Sequence, residues 1–262
     1  MHWIIQDCML AEDDARELFH VLTKYSIKFS VITIENDQMV LHPDFDGLPE
    51  AGEDIMPIGA YSLMRFIDTH RPAWKKFLFN GPGMQGDVYP IEYGKDMLNS
   101  DAVVTNLASA STVFDHFFIR PLHDNKAFAG SALSRQDFIE WRKRCKSHLA
   151  TDDLPVLVAS IKDICSETRL FIIDRKIITG SLYKMGGKMS ISPLVDPMVK
   201  EFANDLISKE FQPEKAYVMD IALINTQAGI HPKVVELNCI NCSGFYSSDI
   251  ARIVEHLNFI EA

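Results

Sequence analysis

The sequence predicts a mixed α/β and α+β fold in two parts, a parallel α/β unit followed by a region built on antiparallel strands. Three observations predict it. Residues 3–5, 12–24 and 29–34 read as strand, helix and strand, a β-α-β opening that requires a parallel crossover. Beyond residue 155, apolar runs follow one another through short turns with no helix between them, which is the pattern of an antiparallel sheet. With 262 residues and 47% hydrophobic content, the chain can bury the core of two small domains or one large α/β unit.

In order, residues 3–5 are apolar enough for a strand, and 12–24 carry Ala15, Leu18, Phe19 and Leu22 on one helical side. Residues 29–34 return as a strand. Residues 58–67 read as a helix entered through Gly59, and 88–91 as a short strand. Between them Asn80-Gly-Pro-Gly-Met-Gln-Gly86 is a loop by composition; its glycine spacing matches no phosphate fingerprint, which favours a plain connection over a phosphate cradle. The character changes near residue 112, so an N-terminal domain is expected over 1–111 and a second region over 112–262. Residues 113–121 are β-rich and stop at Pro121. A polar loop, 122–130, leads to a helix over 135–148 with Phe138, Trp141 and Cys145 on one face. Residues 156–161, 167–174 and 177–183 read as three strands, with Arg175 and Lys176 at a turn. After Gly186 and Gly187 come a helix over 197–209 and two further strands, 216–224 and 231–238.

A formal net charge of -10 excludes an extended nucleic-acid footprint but not one local basic pocket. Five scattered cysteines are an odd number and fit reduced thiols better than a disulfide framework, which points to the cytoplasm. Cys239 and Cys242 form one C-x-x-C without a second pair, a pattern that favours buried thiols over a zinc or redox site. The start Met1-His-Trp-Ile-Ile lacks the basic and apolar order of a signal peptide. No apolar stretch approaches the roughly 20 residues that cross a bilayer, so no membrane partner is expected.

The last two strand-like runs carry oxygen donors, Asp220 in the first and Glu236 with Asn238 in the second. Alternate strand residues share a face, so Glu236 and Asn238 project together while Leu237 turns inward. If the runs pair as antiparallel neighbours, Asp220 joins them, and hard oxygen donors of this kind suit Mg²⁺ held by one or two carboxylates. The alternative is a polar, wet face of an ordinary hairpin. Upstream stand the cations Arg120 at a strand end, Lys126 in the polar loop and Arg169 two residues after Glu167. A polyphosphate needs fixed cations, a mobile loop and a bridging metal in that arrangement. Taken singly, Arg120 and Lys126 are equally ordinary surface residues, and Glu167 with Arg169 an ordinary ion pair.

The order of these residues, from about Phe117 to Tyr246, resembles the ATP-grasp superfamily of carboxylate-amine ligases. Phe118-Ile-Arg-Pro121 is similar to the family strand that ends in a cation and proline; the usual lysine is here Arg120, with Lys126 following in Lys-Ala-Phe-Ala-Gly130. That exchange resembles the phage and bacterial branch named for its arginine-for-lysine replacement. The resemblance implies an ATP-grasp fold whose N-terminal α/β unit takes the place of the family's preceding domain. It implies ATP and Mg²⁺ as cofactors, with Asp220, Glu236 and Asn238 as metal ligands, matching an Asp…Glu-x-Asn set. Residues 155–161 resemble the adenine-binding hinge strand, which makes Ala159, Ser160 and Ile161 nucleotide contacts beside Arg120, Lys126 and Glu167. Arg169 of the E-x-R strand would face the phosphoryl group in transfer, making Arg169 and Arg120 the expected catalytic residues. Residues 241–245, Asn-Cys-Ser-Gly-Phe, resemble the small-residue turn after the metal strand. The activity implied is conversion of a carboxylate to an acylphosphate and its capture by an amine, with small-molecule or peptide substrates. An inactive nucleotide-binding or interaction module, or a phosphotransferase acting on a hydroxyl, are the alternatives on the same fold.

Overall fold

A computed structural model describes residues 1–8, 13–36, 38–122, 127–145 and 149–261. The N-terminal unit contains β1 (His2–Gln6), α1 (Asp13–Lys24), β2 (Phe29–Glu35), β3 (Gln38–Leu41), β4 (Ile55–Ile58) and α2 (Tyr61–His70). Its sheet has the order β3-β2-β1-β4, with β1 parallel to both neighbours and β3 antiparallel. The crossover helix α1 buries Ala15, Leu18, Val21 and Leu22, as its spacing predicts. Residues 55–58 are strand β4, whose four residues are all buried, and the helix expected over 58–67 begins only at Tyr61. Gly59 sits at that junction because a Cβ there would lie 2.6 Å from the Cβ of Gln6.

The strand expected at 88–91 is instead a short helix, α3 (Tyr89–Tyr93). Pro90 fits the first helical turn, and Gly94 at φ 50 ends the helix in a conformation that side chains disfavour. Tyr89 and Tyr93, four residues apart, are both buried. The apolar residues thus follow a helical period that is too short to recognise in the sequence.

A small sheet follows, made of β5 (Val103–Asn106), β6 (His116–Pro121), β7 (Ser131–Ser134) and β8 (Pro155–Ser160) in the order β5-β8-β6-β7, antiparallel throughout. Strand β5 precedes residue 112 in the chain, yet pairs with β8 in this second sheet. Helix α4 (Arg135–Arg144) packs against it, its N-terminus capped by the Ser134 hydroxyl, which accepts from the Asp137 N–H at 3.0 Å.

The largest sheet comprises β9 (Asp163–Ile173), β10 (Lys176–Met185), β11 (Lys188–Ser192), β12 (Ala216–Thr226) and β13 (Gly229–Cys239), in the order β11-β10-β9-β12-β13. All its pairings are antiparallel. Asp174 (φ 48) and Arg175 (φ 59) make the two-residue turn between β9 and β10, where positive φ matches the strand twist. Helix α5 (Pro197–Ser208) covers one face through Val199, Ala203, Leu206 and Ile207. Helix α6 (Ile250–Asn258) joins Phe171 and Ile173 of the other face to Trp3 and Leu18 of the N-terminal unit in one buried cluster.

Between the two units lies one fully buried side chain, Asn241. Its Oδ1 accepts from the Phe79 N–H at 2.9 Å, and its Nδ2 donates to the carbonyls of Pro57 at 2.8 Å and Phe77 at 2.9 Å. Its own carbonyl accepts from the Gly59 N–H at 2.9 Å. Replacing Asn241 by Ala strands three buried backbone groups, each worth roughly 1–3 kcal/mol unsatisfied. Asn241→Ala is therefore expected to lower the unfolding free energy by at least about 3 kcal/mol in urea titration, and a loss below about 1 kcal/mol would show that the latch holds little.

Candidate active site

Strand β12 lies inside the large sheet, and Asp220 at its middle is 1% exposed. Register places Arg169 of β9 on one side of it and Glu236 of β13 on the other. The Arg169 guanidinium forks onto the carboxylate, Nε to Oδ1 at 2.9 Å and Nη2 to Oδ2 at 2.8 Å. Its third nitrogen, Nη1, donates to the Gly244 carbonyl at 3.1 Å. Asn238 Nδ2 donates to Asp220 Oδ2 and to Glu236 Oε1, each at 3.2 Å. The three expected metal-type residues therefore do converge, on a site closed to water at Asp220 and half-open at Glu236 and Asn238. A wet hairpin face is not what they form.

Two tyrosines complete this wall. Tyr183 and Tyr246 stack with ring centroids 5.0 Å apart and planes at 7°, and Arg169 lies 5.0 Å from the Tyr246 ring and 5.8 Å from that of Tyr183. Such contacts fix a planar cation in place. The Tyr183 hydroxyl donates to Glu167 Oε2 at 2.8 Å, and Lys184 Nζ lies 2.8 Å from Glu167 Oε1. Glu167 is thus satisfied by Tyr183 and Lys184, and not by the Arg169 pairing that adjacency on the strand allowed.

Electrostatics follow from burial. Burial pushes the Asp220 carboxyl up, the Arg169 fork pulls it only partly back, and the nearby carboxylates of Glu236 and Glu167 add to the upward push. Burial opposes the Arg169 charge, but the Asp220 fork outweighs it and holds the guanidinium above its ordinary range. Burial, then Asp220 and Glu167, push the Tyr183 phenol far above its usual value, so it remains a donor.

The facing wall comes from the small sheet. Arg120, half-buried on β6, sits opposite Leu157 of β8. Tyr89 of α3 connects it to the acidic set: burial raises its phenol, Arg120 lowers it, and Glu236 and Asp220 raise it again. Arg120 and the carboxylates therefore act on one group. At the expected hinge, Ala159 is buried in β8 and Ile161 is exposed. The Ser160 N–H donates to Asp101 Oδ2 at 3.2 Å and its carbonyl accepts from Lys162 Nζ at 3.1 Å, so both backbone groups already have partners. Lys126 lies outside the described residues.

Sequence reasoning missed Tyr89, Tyr183, Tyr246, Lys184 and Lys162. Tyr183 had a readable signal, since it shares the period-two face of Ser181 on β10, whereas Tyr89 comes from a distant helix that no local pattern connects to the site. Among the described residues no group of three or more His, Cys, Asp or Glu side chains could hold a metal. The available set is two carboxylates and an amide, whose oxygen chemistry fits Mg²⁺ more than a softer ion.

A five-stranded sheet bearing a buried acid and arginine, a small sheet presenting a further arginine towards it, and an α/β unit ahead of both define the ATP-grasp fold. The chain belongs to that family: the model of the ATP-grasp domain, family 2 of the arginine-for-lysine clade, matches residues 100–256, more than half of its length. In structure it is similar to the D-alanine-D-alanine ligase from Coxiella burnetii, with a TM-score of 0.66 at 11% identity over 98% of this chain and 92% of that one. D-alanyl-alanine synthetase A from Vibrio cholerae superposes with a TM-score of 0.62 at 10% identity, over 98% and 93% of the two chains. The ATP-grasp ligase PsnB in complex with a minimal precursor gives 0.53 at 12% identity over 98% and 97%. No curated protein matches by sequence. Among the described residues no helix is long and apolar enough to cross a membrane.

The buried pair yields a direct test. Arg169→Met leaves Asp220 as an uncompensated buried charge, a change that costs roughly 3–5 kcal/mol. Combining it with Asp220→Asn removes that charge, so the double variant is expected to regain most of the lost stability in urea unfolding. A double variant as unstable as Arg169→Met alone would show that Arg169 acts through packing.

Proposed function

We propose that this protein is an ATP- and Mg²⁺-dependent ligase that converts a carboxylate to an acylphosphate and captures it with an amine, releasing ADP and phosphate. The observation that carries this reading is the convergence of Arg169, Asp220, Glu236 and Asn238 on one wall with Arg120 on the other. Asp220, Glu236 and Asn238 would hold the metal, which supplies charge neutralisation to the phosphate oxygens. The remaining work falls to the protein's own side chains. Arg120, the arginine standing where related chains carry lysine, and Lys126 would bind polyphosphate; Ala159, Ser160 and Ile161 would lie against the base. Ser160 contributes in this way only by exchanging the Asp101 or Lys162 partner it now has.

Arg169 is placed to stabilise charge on a phosphoryl group in transfer, since its guanidinium is clamped by two rings and a carbonyl and loses little freedom in acting. The sequence alone suggested that Arg169→Lys would fold almost normally. The structure assigns that lysine a larger defect, because a single ammonium cannot reproduce both bonds to Asp220 and the bond to Gly244. Glu167, satisfied by Tyr183 and Lys184, would steer nucleotide or substrate through those partners.

The reaction class can be measured without knowing the substrates. Incubation with ATP, Mg²⁺, pooled amino acids and small peptides, and hydroxylamine is expected to give a hydroxamate and ADP. Phosphate attached stably to a hydroxyl compound would identify a phosphotransferase instead, and nucleotide binding without turnover an inactive module. Glu236→Ala, at a half-buried position that Arg169 does not touch, is expected to keep the fold and abolish magnesium-dependent turnover. Arg120→Ala is expected to weaken ATP binding by roughly 1.5–3 kcal/mol, the value of a charge-assisted contact, read by calorimetry.

A further inference from the structure

A second concave surface lies along the outer edge of β10, away from the acidic set. Strand β11 pairs with β10 only from Leu182 onward, so the edge of residues 176–181 has no strand partner among the described residues. Helix α5 walls this edge on one side and α6 on the other, enclosing a cleft of about 630 Å³. Four cations line it: Arg175 and Lys176 from the turn, Lys200 from α5 and Arg252 from α6. No acidic residue does, although the chain as a whole carries a formal net charge of -10. Arg175 is fixed by the Lys209 and Glu210 carbonyls at 3.3 and 3.2 Å. The side chains of Lys176, Lys200 and Arg252 form no ion pair with a carboxylate among the described residues.

We propose that this edge is a docking groove for an extended acidic peptide segment, which adds to β10 as a further strand. Charge complementarity selects the acidic side chains. The form of the ligand follows from the edge itself, because an unpaired strand offers both N–H donors and C=O acceptors. A peptide satisfies both, whereas a free phosphate or carboxylate can use only the donors and the cations. Residues 176–181 accommodate about five or six residues at roughly 3.3 Å per residue. Exposed Leu194 and Met198, beside the groove, provide apolar contact for the alternate side chains of such a segment.

The groove adjoins the candidate active site through β10. Thr179 Oγ1 accepts from the Asp249 N–H at 3.0 Å and Ser181 Oγ from the Ser247 N–H at 3.2 Å, so the strand forms a common wall with the Tyr246 loop. Ser181 itself lies opposite Arg169. A chain held on the outer edge can therefore lead its flanking residues towards Arg169. As a substrate-docking groove the proposal rests on the ligase reading; as a peptide-binding site it does not.

The test uses the full chain without nucleotide. A labelled ten-residue peptide alternating Asp or Glu with Val or Thr is titrated and read by fluorescence anisotropy, with amide hydrogen exchange on the same samples. Saturable, salt-sensitive binding is expected, together with protection of amides within 176–181. Lys176→Glu/Lys200→Glu is expected to weaken binding at least tenfold, and the milder Lys200→Gln/Arg252→Gln severalfold, with unchanged circular dichroism. Absence of binding at millimolar peptide, or equal binding of a Lys/Val peptide, overturns the proposal. Displacement of the peptide by inorganic phosphate without edge protection identifies a plain anion site and overturns it as well, as does tighter binding of a single-stranded oligonucleotide of equal charge. Because nucleotide is absent, a failed titration leaves the ligase reading intact, and a negative hydroxamate assay leaves the groove intact.

Discussion

The buried carboxylate of Asp220 is the constraint around which this molecule is organised. It occupies the middle of β12, between two strands and out of reach of solvent, where an unpaired charge would cost several kcal/mol. A neutral hydrogen-bond donor would leave that charge in place. The structure supplies a full guanidinium, in two-point contact, from the adjacent strand. Once Arg169 is committed there, its remaining hydrogens and both faces need partners. The Gly244 carbonyl and the Tyr183 and Tyr246 rings provide them, so the acid on β12 dictates the conformation of a loop more than twenty residues further on.

That loop is held from its other side by the N-terminal unit. Asp14 of α1 accepts from the N–H groups of Phe245 and Tyr246 through one oxygen, at 3.1 and 2.9 Å. Tyr246 has φ 51, a left-handed conformation that is costly for a residue with a side chain and persists only where its surroundings enforce it. Asp14 and Asn241 are the enforcing contacts. The α/β unit is therefore part of the site: it fixes the carbonyl that holds Arg169 and the ring that covers it.

What the sequence made legible was periodicity and order. The period-two alternation of residues 231–238 placed Glu236 and Asn238 on one face, and the helical spacing of α1 was equally plain. Pairing was less visible. Nothing local connects Arg169 to Asp220, 51 residues apart, and the proximity of Glu167 to Arg169 suggested an ion pair that strand alternation does not favour once Asp220 stands across the ladder. Short elements were misread where one turn of helix and one strand share the same few apolar residues, as at Tyr89–Tyr93. Edge strands β3, β5, β7 and β11 escaped because half-exposed strands of four or five residues lack the apolar run that marks a buried one.

An acidic cluster in a protein interior needs a cation, and this need alone was a reason to expect a metal at Asp220. Arg169 removes that reason, because it neutralises Asp220 with no metal present. The case for a metal moves to Glu236. Arg169 does not reach it; its only side-chain partner among the described residues is the neutral amide of Asn238, which leaves its charge uncompensated. It is half-buried, so part of its hydration is lost, and it faces the field of Arg120 through Tyr89. A divalent ion bound there through Glu236 and the Asn238 oxygen would have to share Asp220 with a guanidinium that occupies both its oxygens. Competition between the two cations for one carboxylate would loosen Arg169 from Asp220 when the metal arrives, and a loosened guanidinium can then turn to an incoming phosphoryl group.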